Sequence, residues 1–227
     1  MTFSICARDR ATGQLGVGAI TAMLGVGKLV SHGRAGVGAA ASQAMMNPYL
    51  AIDILDLMAG GLSAREALEE VIGRDDGRDY RQLGVVDAHG NTAAWTGGRT
   101  EGWAGHLQRG SAVAQGNRLV GIETLEATLD AFYDNENLDL AHRLLCALQA
   151  GEATGADRQG SLSGTIYVVG TEEYPLWDVR IDHAQDPAAA LEALVGEFEE
   201  GLLPHIEKLP TRADYVGQMT REAMAEE

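Results

Sequence analysis

Strands that come in hairpin-linked groups, with helices in pairs between them, predict an α+β fold: a four-layer α/β/β/α sandwich of two mainly antiparallel sheets. Two further observations agree. The strict strand–helix alternation of a doubly wound parallel sheet is absent, and no shift in composition marks a domain boundary along the 227 residues. Glycine, 29 residues against 5 prolines, clusters in the first 40 residues and around 97–121, which suits short, tight strands with close backbone approaches.

The elements follow in order. Thr2-Phe3-Ser4-Ile5-Cys6-Ala7 alternates as a strand, with Phe3, Ile5 and Ala7 on one face and Thr2, Ser4 and Cys6 on the other. A second strand over 14–20 is joined to it across a turn ending Thr12-Gly13. Short strands are expected near 28–32 and 36–42. A helix over 49–59 carries apolar residues on so much of its circumference that it should be covered on more than one side. Gly60-Gly61 ends it, and Ser63-Ala64-Arg65-Glu66 is a capping box that opens a helix to about residue 73. Strands at 82–87 and 92–97 flank the turn Asp87-Ala88-His89-Gly90-Asn91, and another strand is expected at 110–115. Helices at about 120–133 and 138–150, strands at 163–169 and 174–182, and a helix opened by Asp186-Pro187 complete the fold. The predicted order is ββββ-αα-βββ-αα-ββ-α. Residues 1–203 read as a single domain and 204–227 as a polar, weakly helical C-terminal extension.

Composition narrows the partners. Lys and Arg number 17 against 33 Asp and Glu, a formal net charge of −16. Such a surface repels phosphate backbones, so no nucleic-acid partner is expected. No apolar run reaches the roughly 18 residues of a membrane helix, and no signal peptide is legible, which places the chain in the cytoplasm without a membrane partner. Cys6 and Cys146 lie in apolar runs and read as core residues of a reduced compartment. The apolar side chains of the extension, among them Tyr215, Val216, Met219 and Met224, suggest a homo-oligomer, most simply a dimer. No metal or cofactor is expected: the six histidines lack ligand spacing, Gly25-Val26-Gly27-Lys28 lacks the upstream glycine of a phosphate loop, and no Gly-x-Ser-x-Gly elbow exists.

Thr2 is the residue with a distinctive chemical possibility. If Met1 is removed, Thr2 holds a hydroxyl nucleophile and a free α-amine, with an ordinary pKa of about 8, on the same residue. That amine can serve as the base for its own side chain.

Met1-Thr2-Phe3-Ser4-Ile5-Cys6-Ala7-Arg8-Asp9, Arg34-Ala35-Gly36-Val37-Gly38-Ala39, Gln82-Leu83-Gly84-Val85-Val86-Asp87, Trp103-Ala104-Gly105-His106, Ala114-Gln115-Gly116-Asn117 and Gly155-Ala156-Asp157-Arg158-Gln159-Gly160 together resemble the bacterial family called domain of unknown function 1028. That family is placed among the N-terminal-nucleophile (Ntn) hydrolase-like proteins. The resemblance runs from residue 1 to about 183. The order also looks like a proteasome-type subunit in outline, including a Val-Asp-x-x-Gly-Asn turn like Val86 to Asn91. Where such enzymes carry an aspartate and a lysine near the nucleophile, this chain has Thr21-Ala22-Met23 and then Arg34.

The resemblance implies a small-molecule amide hydrolase with Thr2 as nucleophile. Asp157 and Ser161 would orient the N-terminal group, or Asp157 pairs with Arg158 in a loop. Asn117 would donate to an oxyanion, or stand as a turn residue beside Gly116. Arg34 would hold a substrate carboxylate, or pair with one of the acids. Gln43 and His106 would line the same cleft, or pack structurally. The second reading, of another class, is a non-catalytic binding or assembly protein that kept the fold and lost the chemistry.

Overall fold

The computed structural model describes residues 1–156 and 160–218. Among them the strands are β1 (Thr2–Arg8), β2 (Leu15–Thr21), β3 (Ser31–Arg34), β4 (Gly38–Ala44), β5 (Arg81–Asp87), β6 (Thr92–Thr96), β7 (Trp103–Arg109), β8 (Ala112–Leu119), β9 (Ser163–Val169) and β10 (Pro175–Ile181). The helices are α1 (Pro48–Ala59), α2 (Ala64–Arg74), α3 (Glu123–Asp134), α4 (Leu140–Ala153), α5 (Pro187–Gly201) and the short α6 (Leu203–Ile206). Every strand pairing is antiparallel. One sheet has the order β10-β9-β2-β1-β8-β7 and the other β3-β4-β5-β6. The fold is therefore α+β, with two antiparallel sheets and helices.

Three apolar clusters hold these elements together. Phe3, Ile5 and Ala7 of β1 join Leu125, Leu129, Leu144, Leu148 and Leu191 where the six-stranded sheet meets α3, α4 and α5. On the other side of the molecule, Leu50, Ile54, Leu68 and Val71 of α1 and α2 meet Ala40, Leu83 and Val85. The third cluster lies where the sheets face one another and takes in Cys6, Val17, Ala39, Val86, Val113 and Val169. The alternation read in β1 thus divides its residues between two different cores. Burial drives the Cys6 thiol up to about 12, and the thiol donates to the Gly84 carbonyl at 3.3 Å, so Cys6 packs and does not ionise.

The local signals correspond to specific contacts. Ser63 and Glu66 form the reciprocal capping box at the start of α2. Asn47 caps α1 ahead of Pro48, Asp139 caps α4, and Asp186 caps α5 ahead of Pro187. The turn after β5 is organised by the buried Asp87. Its Oδ1 accepts from the backbone N–H groups of His89 and Asn91, and its Oδ2 from the Ala64 N–H at the head of α2. Burial works against ionisation of this carboxyl, but these donors and the Asn91 amide outweigh it and hold the pKa below the usual range.

Two expectations need correction. The predicted order omits β7: there are four strands between the helix pairs, not three. β7 is a half-exposed sheet edge, so Trp103 to Arg109 carries no apolar alternation to betray it. The helix α1 is covered on one side only. Leu50, Ala51, Ile54, Leu55 and Met58 are buried, while Tyr49 and Ile52 are exposed. In the extension, Tyr215 and Val216 are exposed, and Met219 and Met224 lie outside the described residues. No described helix is long and apolar enough to cross a membrane.

Candidate active site

Along the facing surfaces of the two sheets the chemistry changes from apolar to polar. At the Cys6 end the contacts are valines and alanines. Two and four residues back along β1 stand Ser4 and Thr2, and around them four amide side chains converge from three other strands. Gln43 (β4), Gln82 (β5), Gln115 and Asn117 (β8) are all buried. Ser4 Oγ donates to Gln43 Oε1 at 2.6 Å and accepts from Gln115 Nε2 at 2.6 Å. Gln43 Nε2 donates to Gln82 Oε1 at 2.8 Å, which also accepts from Asn117 Nδ2 at 3.0 Å. Gln82 Nε2 in turn donates to the Gly116 carbonyl and to Thr96 Oγ1, at 2.8 and 3.0 Å. The network cross-links the sheets at this end, with Gln115 Oε1 left buried and without a hydrogen-bond partner among the described residues.

The close approach has a steric requirement at Gly84. A Cβ there would stand 1.9 Å from Gln115 Oε1 and 2.5 Å from its Nε2. We expect Gly84→Ala to lose about 1–3 kcal/mol in urea unfolding, because the Gln115 amide must leave Ser4 to make room. An unchanged unfolding midpoint would contradict this placement.

Thr2 sits at the head of β1 with Thr21 of β2 on one side and Asn117 of β8 on the other, each paired with it in register. Thr2 Oγ1 and Thr21 Oγ1 are 2.8 Å apart, and the Thr21 hydroxyl donates to the Met1 carbonyl at 2.6 Å. The single Thr21 proton is thereby committed, so the Thr2 hydroxyl donates to Thr21. The Ala22 N–H also reaches the Met1 carbonyl, at 3.3 Å. Two donors therefore converge on the oxygen of the acyl group attached to the Thr2 nitrogen. Gln43 Nε2 approaches the Thr2 carbonyl at 3.4 Å.

Backbone strain marks the same end. Among the described residues, the non-glycine residues with positive φ are Ala44, at 68°, and Arg118, at 55°. One directly follows Gln43 and the other directly follows Asn117. Each such conformation costs on the order of 1 kcal/mol and survives only where the surroundings impose it. Arg118 occupies the bulge at which the β7–β8 register shifts, and its guanidinium, more than half exposed, pairs with Glu101.

The candidates read from the sequence divide. Thr2, Asn117 and Gln43 come together. Asn117 lies within β8, and one of its amide protons is taken by Gln82, so it is a strand residue and not the turn asparagine of the alternative reading. Ser161 is adjacent and buried: the neighbouring Leu162 N–H donates to the Thr21 carbonyl at 2.8 Å, and Ser161 Oγ has no hydrogen-bond partner among the described residues. His106 joins at the periphery, its Nδ1 2.9 Å from Thr96 Oγ1, and desolvation lowers its pKa. Asp157 lies outside the described residues.

Arg34 does not belong to this site, contrary to expectation. It closes β3 opposite Gly38, whereas the residue of β4 that reaches Thr2 is Gln43, five positions further on. At about 3.3 Å per residue that is about 16 Å, and the Arg34 guanidinium turns to Asp56 on α1 at 2.6 Å. Gln82 and Gln115 were missed as site residues. The signal for them was present: Gln82 directly precedes the apolar run Leu83 to Val86, and Gln115 follows Val113 and Ala114 two positions before Asn117, where a buried polar side chain needs partners.

An α+β protein of two antiparallel sheets, with a threonine heading a central strand, is the class this geometry defines. The model of a family described as "Family of unknown function (DUF1028)" matches residues 2–191, and the chain belongs to that family. The crystal structure of protein SPO2555 from Silicibacter pomeroyi, assigned to the same family, is similar over 97% of this chain and 96% of its own, with 34% identity and a TM-score of 0.89. Anbu (ancestral beta-subunit) from Yersinia bercovieri is more distant, at 14% identity and a TM-score of 0.41 over 92% of this chain and 98% of that one. A comparison with curated proteins gives no match.

Proposed function

We propose that the protein is an amide-bond hydrolase of small molecules, with Thr2 as its nucleophile once Met1 has been removed, on a four-layer α/β/β/α sandwich of the Ntn-hydrolase kind. The observation that carries the reading is the pair of donors, Thr21 Oγ1 and the Ala22 N–H, already converging on the acyl oxygen next to Thr2. A substrate carbonyl taking the place of the Met1 carbonyl meets the same two donors, which suits the charge that develops on that oxygen during attack. The Thr2 hydroxyl adds to the carbonyl carbon and passes its proton to the freed α-amine. The resulting ammonium protonates the leaving amine as the tetrahedral intermediate collapses to an ester on Thr2. Water, deprotonated by the same amine, then releases the acid and restores the hydroxyl. The strained residues Ala44 and Arg118 beside this position support a functional site there. With Arg34 remote, Arg118, directly after Asn117 on β8, is the cation proposed to hold a substrate carboxylate in its place.

The three apolar clusters, one under each helix group and one between the sheets, support the layering. A non-catalytic binding role is the second reading, favoured by the burial of Met1, which is 7% exposed and belongs to the cluster with Phe3 and Leu125.

The test is an intact mass of protein made in its native host, followed by assay against a panel of N-acyl amino acids. We expect loss of Met1, hydrolysis of at least one amide, residual turnover in Thr2→Ser and loss of about 10³-fold or more in Thr2→Ala. Full retention of Met1 in the native host would eliminate the amine-as-base mechanism.

A further inference from the structure

We infer that a second binding site, separate from Thr2, lies in the cleft between the 26–34 segment and the edge strand β10, and that it takes a small phosphate-bearing molecule. Lys28, Arg34 and Arg180 line this cleft of about 340 Å³, so three of the chain's 17 Lys and Arg residues converge in one place on a molecule of net charge −16. Ser31, His32 and Tyr167 also line it, while Ile52 and Leu55 of α1 supply an apolar side. Ser31 Oγ, beside this lining, is shielded from solvent without a hydrogen-bond partner among the described residues.

The acids that neutralise the cations stand outside the lining. Lys28 pairs with Asp182, Arg34 with Asp56 at 2.6 Å, and Arg180 with Asp178 at 2.5 and 2.9 Å. The side chains of the first two pairs are well exposed and those of the third about one-third exposed. Exposed pairs are worth little, so an incoming anion can take over these cations at small cost. Two guanidinium forks and an ammonium match the several oxygens of a phosphate, which they hold by paired, charge-assisted hydrogen bonds. The volume lies at the lower end of the range for small-molecule sites, and the Ile52–Leu55 side gives the remainder of the ligand an apolar wall.

Calorimetric titration of the full chain tests this, with inorganic phosphate as the probe and citrate as a carboxylate comparison. Saturable phosphate binding is expected, weakening at least tenfold in Arg34→Gln and in Arg180→Gln. Asp56→Asn, which frees Arg34, should tighten it several-fold. Arg34→Gln and Asp56→Asn change an exposed pair and should leave the melting temperature within about 4 °C. No saturable phosphate binding, or binding indifferent to Arg34→Gln and Arg180→Gln, overturns the proposal. Citrate binding more tightly than phosphate overturns the assigned ligand class. None of these readouts depends on Thr2 or on hydrolysis, so the cleft and the hydrolase reading stand or fall separately.

Discussion

Replacing Arg143 with alanine should destabilise the fold by about 3–5 kcal/mol, one of the two largest losses expected from a single substitution. Arg143 projects from α4 with 5% exposure, and its Nη1 meets Asp9 Oδ2 at 3.0 Å. Its Nε donates to the Phe132 carbonyl at 3.2 Å, and its guanidinium carbon lies 4.0 Å from the centre of the Phe132 ring. Asp9 also shapes the β1–β2 turn, accepting at Oδ1 from the N–H groups of Ala11 and Thr12 and from the Thr12 hydroxyl. Burial opposes the charge on Asp9, while the turn donors and Arg143 together hold its pKa below the usual value. Removing the arginine leaves that carboxylate enclosed beside an empty space, and enclosed unpaired charge is what makes such losses large. Urea unfolding of the single variant and of the Asp9→Ala, Arg143→Ala double variant provides the check. The double variant should recover part of the loss, because no lone charge remains. A single-variant loss below about 1 kcal/mol would show that the pair is solvated.

Ile54→Asp is the other. Ile54 is fully buried on the face of α1 that meets Ala40 and Leu83, so aspartate there places a charge among apolar side chains. A loss of about 4 kcal/mol or more, equivalent to a fall of roughly 10 °C or more in melting temperature for a chain of this size, is expected. Tyr49→Ser on the same helix is the control. Tyr49 is 70% exposed, and its replacement should change stability by no more than about 0.5 kcal/mol. Equal effects of the two substitutions would contradict the one-sided burial of α1.

Much of this architecture is legible in the residues because local rules and tertiary contacts agree. Alternation in β1 separates Phe3, Ile5 and Ala7, which enter the core under the helices, from Cys6 in the core between the sheets and Ser4 in the amide network. Capping residues mark the starts of α1, α2, α4 and α5. β7 escapes because an edge strand exposed on much of its length needs no apolar period. The breadth of apolar residues on 49–59 overstates its burial, because Ile52 belongs to a cleft and not to a core. The site was harder to read. Asn117, 115 positions on, stands beside Thr2 through strand register, and Gln43, 41 positions on, reaches it from the facing sheet. Arg34 sits in a matching motif, yet its distance from Thr2 depends on which end of β4 it pairs with. Neither relation is expressed in spacing along the chain.

The place of β1 in its sheet has a consequence for biosynthesis. β1 is flanked by β2, made at once, and by β8, whose Asn117 follows Thr2 by 115 residues in the register that pairs them. At roughly 5–20 residues per second, translation leaves that flank open for on the order of ten seconds. The cluster that encloses the Met1 side chain needs Leu119, Leu125 and Leu148, which are made later still. An exopeptidase therefore has a window in which Met1 is reachable, and completion of the sheet closes it. If the proposed removal of Met1 occurs, it competes in time with folding, and slowing translation between residues 20 and 120 should then raise the fraction of chains that begin at Thr2.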